Sequence, residues 1–228
     1  MIEIINLIKS YGGKEVVHID HLKIEAGETI GLVGNNGAGK TTLFRMILDL
    51  IKPDSGEILS KGINVQKSDE WKSYTASYLD EGFLIDYLTP EEYFEFIGNL
   101  YQINMADVEE FLIKQKEFFN GEILNRNKYI RDFSKGNQNK VGIAAALLQH
   151  PEVLILDEPF ANLDPSTQIR LKNKLKSTLG LTSLISSHDL NHVTDLCDRI
   201  ILLEKGKIIK DFKTNESSLS ELESYFSE

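Results

Sequence analysis

One cysteine, five prolines and one tryptophan are spread over 228 residues. The lone thiol, Cys197, cannot close an internal disulfide, and no apolar leader follows Met1-Ile2-Glu3. Both features predict a reducing cytosol, with Cys197 a buried structural thiol. No run approaches ~18 consecutive apolar residues, so no membrane span is expected. Positive charge is scarce: 25 Lys and Arg stand against 35 Asp and Glu, a net charge of −10. Phosphate backbones are held by clustered basic side chains, so a dedicated nucleic-acid binder is disfavoured and no nucleic-acid partner is expected. No internal repeat or low-complexity stretch is present. What remains, 41% apolar and 26% charged residues, is globular in composition and suits one large domain or a core with a sub-domain on it.

The apolar pattern alternates between strand and helix. Residues 2–7 read as a strand, 14–24 as an apolar-rich stretch followed by a turn at Gly27, and 29–33 as a short apolar run ending at Gly34. Such a run fits a strand buried on both faces of a parallel sheet. Leu43, Ile47 and Leu50 then recur at helical spacing, up to the turn chemistry of Pro53-Asp54-Ser55-Gly56. Thr89-Pro90-Glu91-Glu92 is a helix start with a capping box and a first-turn proline. Tyr93, Phe96, Ile97, Leu100 and Tyr101 follow at helical spacing, as do Val108, Phe111 and Leu112 after Asn104. Residues 82–149 carry no strand signal, which predicts a helical insertion, its aromatics mostly core, within an α/β core. Strands return at 153–156, 183–187 and 200–203. Lys205-Gly206 predicts a hairpin into 207–210, and Leu219, Leu222, Tyr225 and Phe226 predict a short amphipathic helix from Ser217.

Between strand and helix stands Gly34-Asn35-Asn36-Gly37-Ala38-Gly39-Lys40-Thr41-Thr42, which fits G-x-x-x-x-G-K-[ST]. Glycines let the backbone curl so that successive N–H groups point at phosphate oxygens. The helix that follows sets the positive end of its dipole on the anion. Lys40 reaches the β- and γ-phosphates, and the Thr41 hydroxyl can ligate Mg²⁺. Val153-Leu154-Ile155-Leu156-Asp157-Glu158 runs four apolar residues into two carboxylates, at the strand end where open α/β sheets bind ligands. In this pairing Asp157 holds Mg²⁺ through water and Glu158 orients or deprotonates an attacking water. His18, His21, His150 and His192 have no metal-ligand spacing.

With these motifs in order, the sequence resembles the nucleotide-binding domain of ATP-binding cassette (ABC) proteins, and of their members the ATPases of bacterial drug and antimicrobial-peptide exporters. Phe133-Ser134-Lys135-Gly136-Asn137-Gln138-Asn139-Lys140 is similar to the family signature L-S-G-G-Q-x-Q-R; Ser134 and Gly136 match, while Lys135, Asn137, Asn139 and Lys140 depart. Ala161-Asn162-Leu163-Asp164 resembles the D-loop, and Ser187-His188-Asp189 contains the switch histidine, His188. Tyr11 is similar to the aromatic that stacks on adenine; a packing role is its alternative. Glu81 aligns with a glutamine of the family that contacts Mg²⁺ and the transport partner; a plain linker is the alternative there.

The resemblance implies an α/β P-loop NTPase core with a mostly parallel sheet, an N-terminal antiparallel β region and an inserted helical sub-domain. The core would be 1–81 and 150–228, and the sub-domain 82–149. It further implies ATP and Mg²⁺ as cofactors, Thr41, Asp157 and Glu81 at the metal, and Lys40, Glu158 and His188 in catalysis. Two copies, identical or paralogous, would pair head to tail. One would bring Tyr11, residues 34–42, Asp157, Glu158 and His188, and the other Ser134 and Gly136, with Asp164 near the junction. A separate transmembrane permease, docked near Glu81 and the helical insertion, would hold the protein at the cytoplasmic face of the membrane. A soluble ABC ATPase acting on nucleic acid or ribosomes, and a nucleotide-sensing regulatory subunit with low turnover, are the alternative readings.

Overall fold

Whether a strand is covered on one face or on two decides its sequence, and both kinds occur in this chain. A computed structural model describes residues 1–227, the side chain of Glu81 excepted. The elements run β1 (Ile2–Tyr11), β2 (Lys14–Ile24), β3 (Thr29–Val33), α1 (Lys40–Ile47), β4 (Ser55–Ser60), β5 (Ile63–Asn64) and β6 (Thr75–Tyr78). Then come α2 (Pro90–Leu100), α3 (Met105–Lys114), α4 (Lys116–Phe119), α5 (Lys135–Leu148), β7 (Val153–Leu156), α6 (Pro165–Ser177) and β8 (Thr182–Ser187). α7 (Leu190–Leu196), β9 (Arg199–Glu204), β10 (Lys207–Lys213) and α8 (Ser218–Ser227) complete the chain.

Two sheets form. The first is antiparallel, in the order β2-β1-β4-β5. The second has the order β10-β9-β3-β8-β7-β6, parallel throughout except for β10, which joins β9 as a hairpin. In the parallel strands, successive side chains enter two different cores. Leu154 and Leu156 of β7 pack with the helical insertion, while Val153 and Ile155 pack with α1 and the antiparallel sheet. Ile200 and Leu202 against Ile201 and Leu203 of β9 divide the same way. With core on both faces, β7 and the middle of β9 are apolar at each position, which is why 153–156 and 200–203 read as unbroken runs. The fold is the expected α/β one, with its antiparallel sheet at the N-terminal side.

The helical insertion is built from legible local signals. The Thr89 hydroxyl accepts from Glu92 N (3.3 Å), the Glu92 carboxylate accepts from Thr89 N (2.8 Å), and Pro90 fills the first helical position. Tyr93, Phe94 and Ile97 face the core, with Phe94 fully buried; Phe96 and Leu100 are exposed. α5 is buried almost all round from Gln138 to Leu148, and Gly142 lets it press against β6, since a Cβ there would lie 2.1 Å from the Tyr78 ring. Among the described residues, 82–149 contain no strand.

One helical expectation is corrected. Leu50 is not part of α1: the helix closes at Leu48, Asp49 turns back with a positive φ of 50°, and Leu50 is left exposed. Cys197 is buried, and burial pushes its thiol far above the usual cysteine range, so it is unreactive at neutral pH.

Candidate nucleotide-binding site

The loop between β3 and α1 is pressed against β2. Gly39 precedes α1 with φ 110°, and a Cβ there would stand 2.6 Å from the Val16 carbonyl oxygen, so only glycine fits. α1 has no acidic residue in its first turn, which leaves the positive end of its dipole unopposed. Lys40 is buried; its ammonium donates to Gly34 O (2.6 Å) and stands 4.0 Å from the Glu158 carboxylate.

Parallel pairing brings the second carboxylate motif to the loop. β7 lies beside β8, with Leu156 opposite Ile185, so the next residues along, Asp157 and Ser186, also meet. Asp157 accepts from the Thr41 hydroxyl (2.5 Å) on one oxygen and from the Ser186 hydroxyl on the other. The Ser186 oxygen in turn accepts from Glu158 N (2.9 Å). Glu158 takes a left-handed backbone conformation (φ 48°), a cost of about 1 kcal/mol for a side chain of this kind. Its carboxylate is bonded to His188 Nδ1 (2.7 Å) and accepts from His188 N (3.2 Å). Thr41 and Asp157 thus bring a hydroxyl and a carboxylate together, hard oxygen donors that fit Mg²⁺.

A cavity of about 290 Å³ is lined by Tyr11, Val16, residues 36–42, Asp157 and Glu158. Tyr11 is 53% exposed, with the Lys9 ammonium 5.3 Å from its ring centroid. Asn35 and His188 line a neighbouring cavity with Asn36 and Phe226. Ser134, Gly136 and Asp164 line neither. Ser134 is the N-cap of α5, accepting from Asn137 N (3.3 Å), and is exposed. Gly136 lies against the Asn162 carbonyl, where a Cβ would approach to 2.2 Å. Asp164 is the N-cap of α6; the Ser166 and Thr167 hydroxyls and Thr167 N hold its carboxyl well below the usual carboxylate range. The expected metal contact of Glu81 lies outside the described residues.

Ser186 and Val16 carry no motif signal in the sequence. Ser186 could be suspected only from a hydroxyl residue two places before His188; its meeting with Asp157 depends on strand register.

The sequence pattern of the family described as ABC transporter matches residues 17–161. The chain belongs to this family. An ABC relative, the SkfA peptide export ATP-binding protein SkfE of Bacillus subtilis, is 35% identical over 220 residues, covering 92% of this chain and 88% of the relative. The solved structure of an ATP-binding subunit of an ABC transporter superposes with a TM-score of 0.87 at 27% identity, covering 100% of both chains. A dimeric ATP-binding cassette, MJ0796, solved in a post-hydrolysis state with ADP and Pi, superposes with a TM-score of 0.81 at 26% identity, covering 94% of this chain and 99% of that one. Other ABC relatives are longer: the chain spans 54% and 57% of the length of two from Synechocystis and Nostoc.

Proposed function

We propose that this chain is the ATP-binding and ATP-hydrolysing subunit of an ABC transporter, which pairs head to tail with a second copy or a paralogue and drives a separate membrane permease. One observation carries the reading. Lys40, Thr41, Asp157 and Glu158 converge on one cavity, with His188 bonded to Glu158, while Ser134, Gly136 and Asp164 stand apart from it. A site divided in this way supports the reading that a second copy completes it.

In the proposed mechanism the ATP triphosphate lies on the N–H groups of residues 36–42 and the N-terminus of α1, and Lys40 leaves its carbonyl for the β- and γ-phosphates. Thr41 and Asp157 would hold Mg²⁺, whose charge offsets that of the phosphate oxygens. Tyr11 covers the adenine. Glu158 orients the attacking water and takes its proton. His188 Nδ1–H donates to Glu158, so Nε2 would donate to an oxygen of the transferring phosphoryl group only with a second proton on the ring. Ser134 and the Gly136 backbone of the partner copy would close on that group from the other side. ATP then joins two copies that ADP lets part.

The permease is proposed to dock at a groove of about 330 Å³ between β6 and α2, on whose rim Leu50, Phe83, Leu100 and Tyr101 expose apolar surface. Residues 82–149 would act as the sub-domain that carries the Ser134 face. No described helix is long and apolar enough to cross a membrane. Membrane attachment is proposed to come through the permease. SkfE, named for peptide export, makes an export system the nearest proposal for the whole assembly.

The test uses Glu158→Gln, which keeps the side-chain shape and removes the proton acceptor. It should bind ATP, fail to turn it over, and elute as a dimer with ATP and Mg²⁺ but as a monomer with ADP. Ser134→Arg added to it should disperse that dimer. A dimer that survives Ser134→Arg would overturn the divided site.

A further inference from the structure

Asn139, which replaces the second glutamine of the signature pattern, is 5% exposed and uses both ends of its amide. The Ala161 carbonyl can only accept, so Asn139 Nδ2 faces it and donates (2.8 Å). That leaves Oδ1 to accept from the Tyr78 hydroxyl (2.6 Å). Two further bonds close the path. Asp157 N donates to Tyr78 O (3.0 Å), and Ala161 N donates to Glu158 O (3.1 Å). Tyr78, Asp157-Glu158, Ala161 and Asn139 therefore form one hydrogen-bonded ring that joins β6, the end of β7, the loop after it and α5.

The ring has one side on each site. The Tyr78 ring is a wall of the apolar groove and lies on Gly142 without room for a Cβ. Ala161 follows Glu158 by three residues and precedes the α6 cap, Asp164, by three. α5 grips this loop a second time where Gly136 meets Asn162 O. The groove wall and the Glu158 loop are thus held by the same side-chain amide, and every polar group of the ring named here is paired.

We propose that Asn139 is a positioning residue that couples the groove wall at Tyr78 to the loop 158–164, so that a partner pressing on the groove resets Glu158 and the closing face. The mechanical coupling stands on the ring alone; its effect on hydrolysis rests on the ATPase reading above. Neither a shorter side chain nor an apolar one can make both bonds. Asn139→Asp keeps the acceptor for Tyr78 but sets a carboxylate against the Ala161 carbonyl, and so cuts one arm only.

Amide hydrogen exchange on the full chain tests this. Tyr78→Phe removes a single hydroxyl at the groove. It should speed exchange across 158–164 by about five- to tenfold, the loss of one buried hydrogen bond, and leave α1 unchanged. Asn139→Asp should do the same, and Tyr78→Phe added to Asn139→Leu should add nothing. A merely structural role would loosen only 75–79 and α5. Unchanged exchange at 158–164 in folded Tyr78→Phe would overturn the coupling, as would effects of Tyr78→Phe and Asn139→Leu that multiply in the double variant. Added ATP and Mg²⁺ should protect amides 36–42 in the same experiment. Its failure to do so would count against the ATP site and leave the coupling result intact. Where the chain turns ATP over, both single variants should lower kcat and keep KM for ATP within about twofold, because residues 34–42 and Tyr11 lie outside the ring.

Discussion

Replacing Ser186 with alanine removes one oxygen from beneath the carboxylate pair and leaves a fully buried space behind it. That oxygen donates to Asp157 and accepts from Glu158 N (2.9 Å). The bond to the charged carboxylate is worth about 2 kcal/mol and the bond from the peptide N–H about 1, so about 3 kcal/mol of stability should be lost. For a chain of this length that lowers Tm by about 6–12 °C. The functional loss is separate. Glu158 already occupies a left-handed backbone conformation, and the Ser186 bond is one of the restraints that keep it there. Released, its carboxylate should leave the line of attack, cutting kcat at least about tenfold. KM for ATP should rise less than kcat falls, because Lys40 and the loop are untouched while Asp157 loses one of its two partners. Thermal unfolding and steady-state hydrolysis, measured below the variant's melting range, read the two effects. A Tm within about 2 °C of the parent together with an unchanged kcat would refute the account of Ser186.

Lys40→Ala removes the buried ammonium at the loop and should weaken ATP at least about tenfold and abolish measurable hydrolysis, read by equilibrium binding and phosphate release. Tyr11→Ala should raise the Kd for ATP about five- to tenfold, and Tyr11→Phe should restore it, since the ring face carries the stacking; a phenylalanine that fails to rescue while the fold is intact would assign Tyr11 to packing. Asp164 is held ionised by Ser166 and Thr167, so its folded-state pKa lies below its unfolded value. The stability it adds is full above about pH 4 and is lost as pH falls further. Asp164→Asn keeps the cap without the charge, and its urea midpoint should fall less steeply between pH 5 and pH 2 than the parent's.

Much of the fold was legible because its signals are local. The capping box at Thr89 and Glu92, the Gly-rich turn before Lys40 and the hairpin at Lys205-Gly206 each sit within a few residues, and each formed as read. Leu50 misled because apolar spacing continues past the point where Asp49 turns the backbone. β4 and β5 carried too few apolar residues to announce themselves: only Ile58 of β4 and no residue of β5 is a buried apolar one.

The sequence by itself determined the glycine-rich turn before Lys40 and which strands must be buried, since loop conformation and side-chain alternation are set by neighbours in the chain. Tertiary structure alone decided which residues meet. Ser186 lies under Asp157 because β7 and β8 pair with Leu156 opposite Ile185; a shift of one residue would turn it to the other face. Asn139 reaches Tyr78 and Ala161, 61 and 22 residues away, only once α5 is packed on the sheet. The separation of Ser134 from the Lys40 cavity likewise comes from helix packing. Contacts of this range depend on register and on the docking of whole elements, and no short stretch of sequence encodes either.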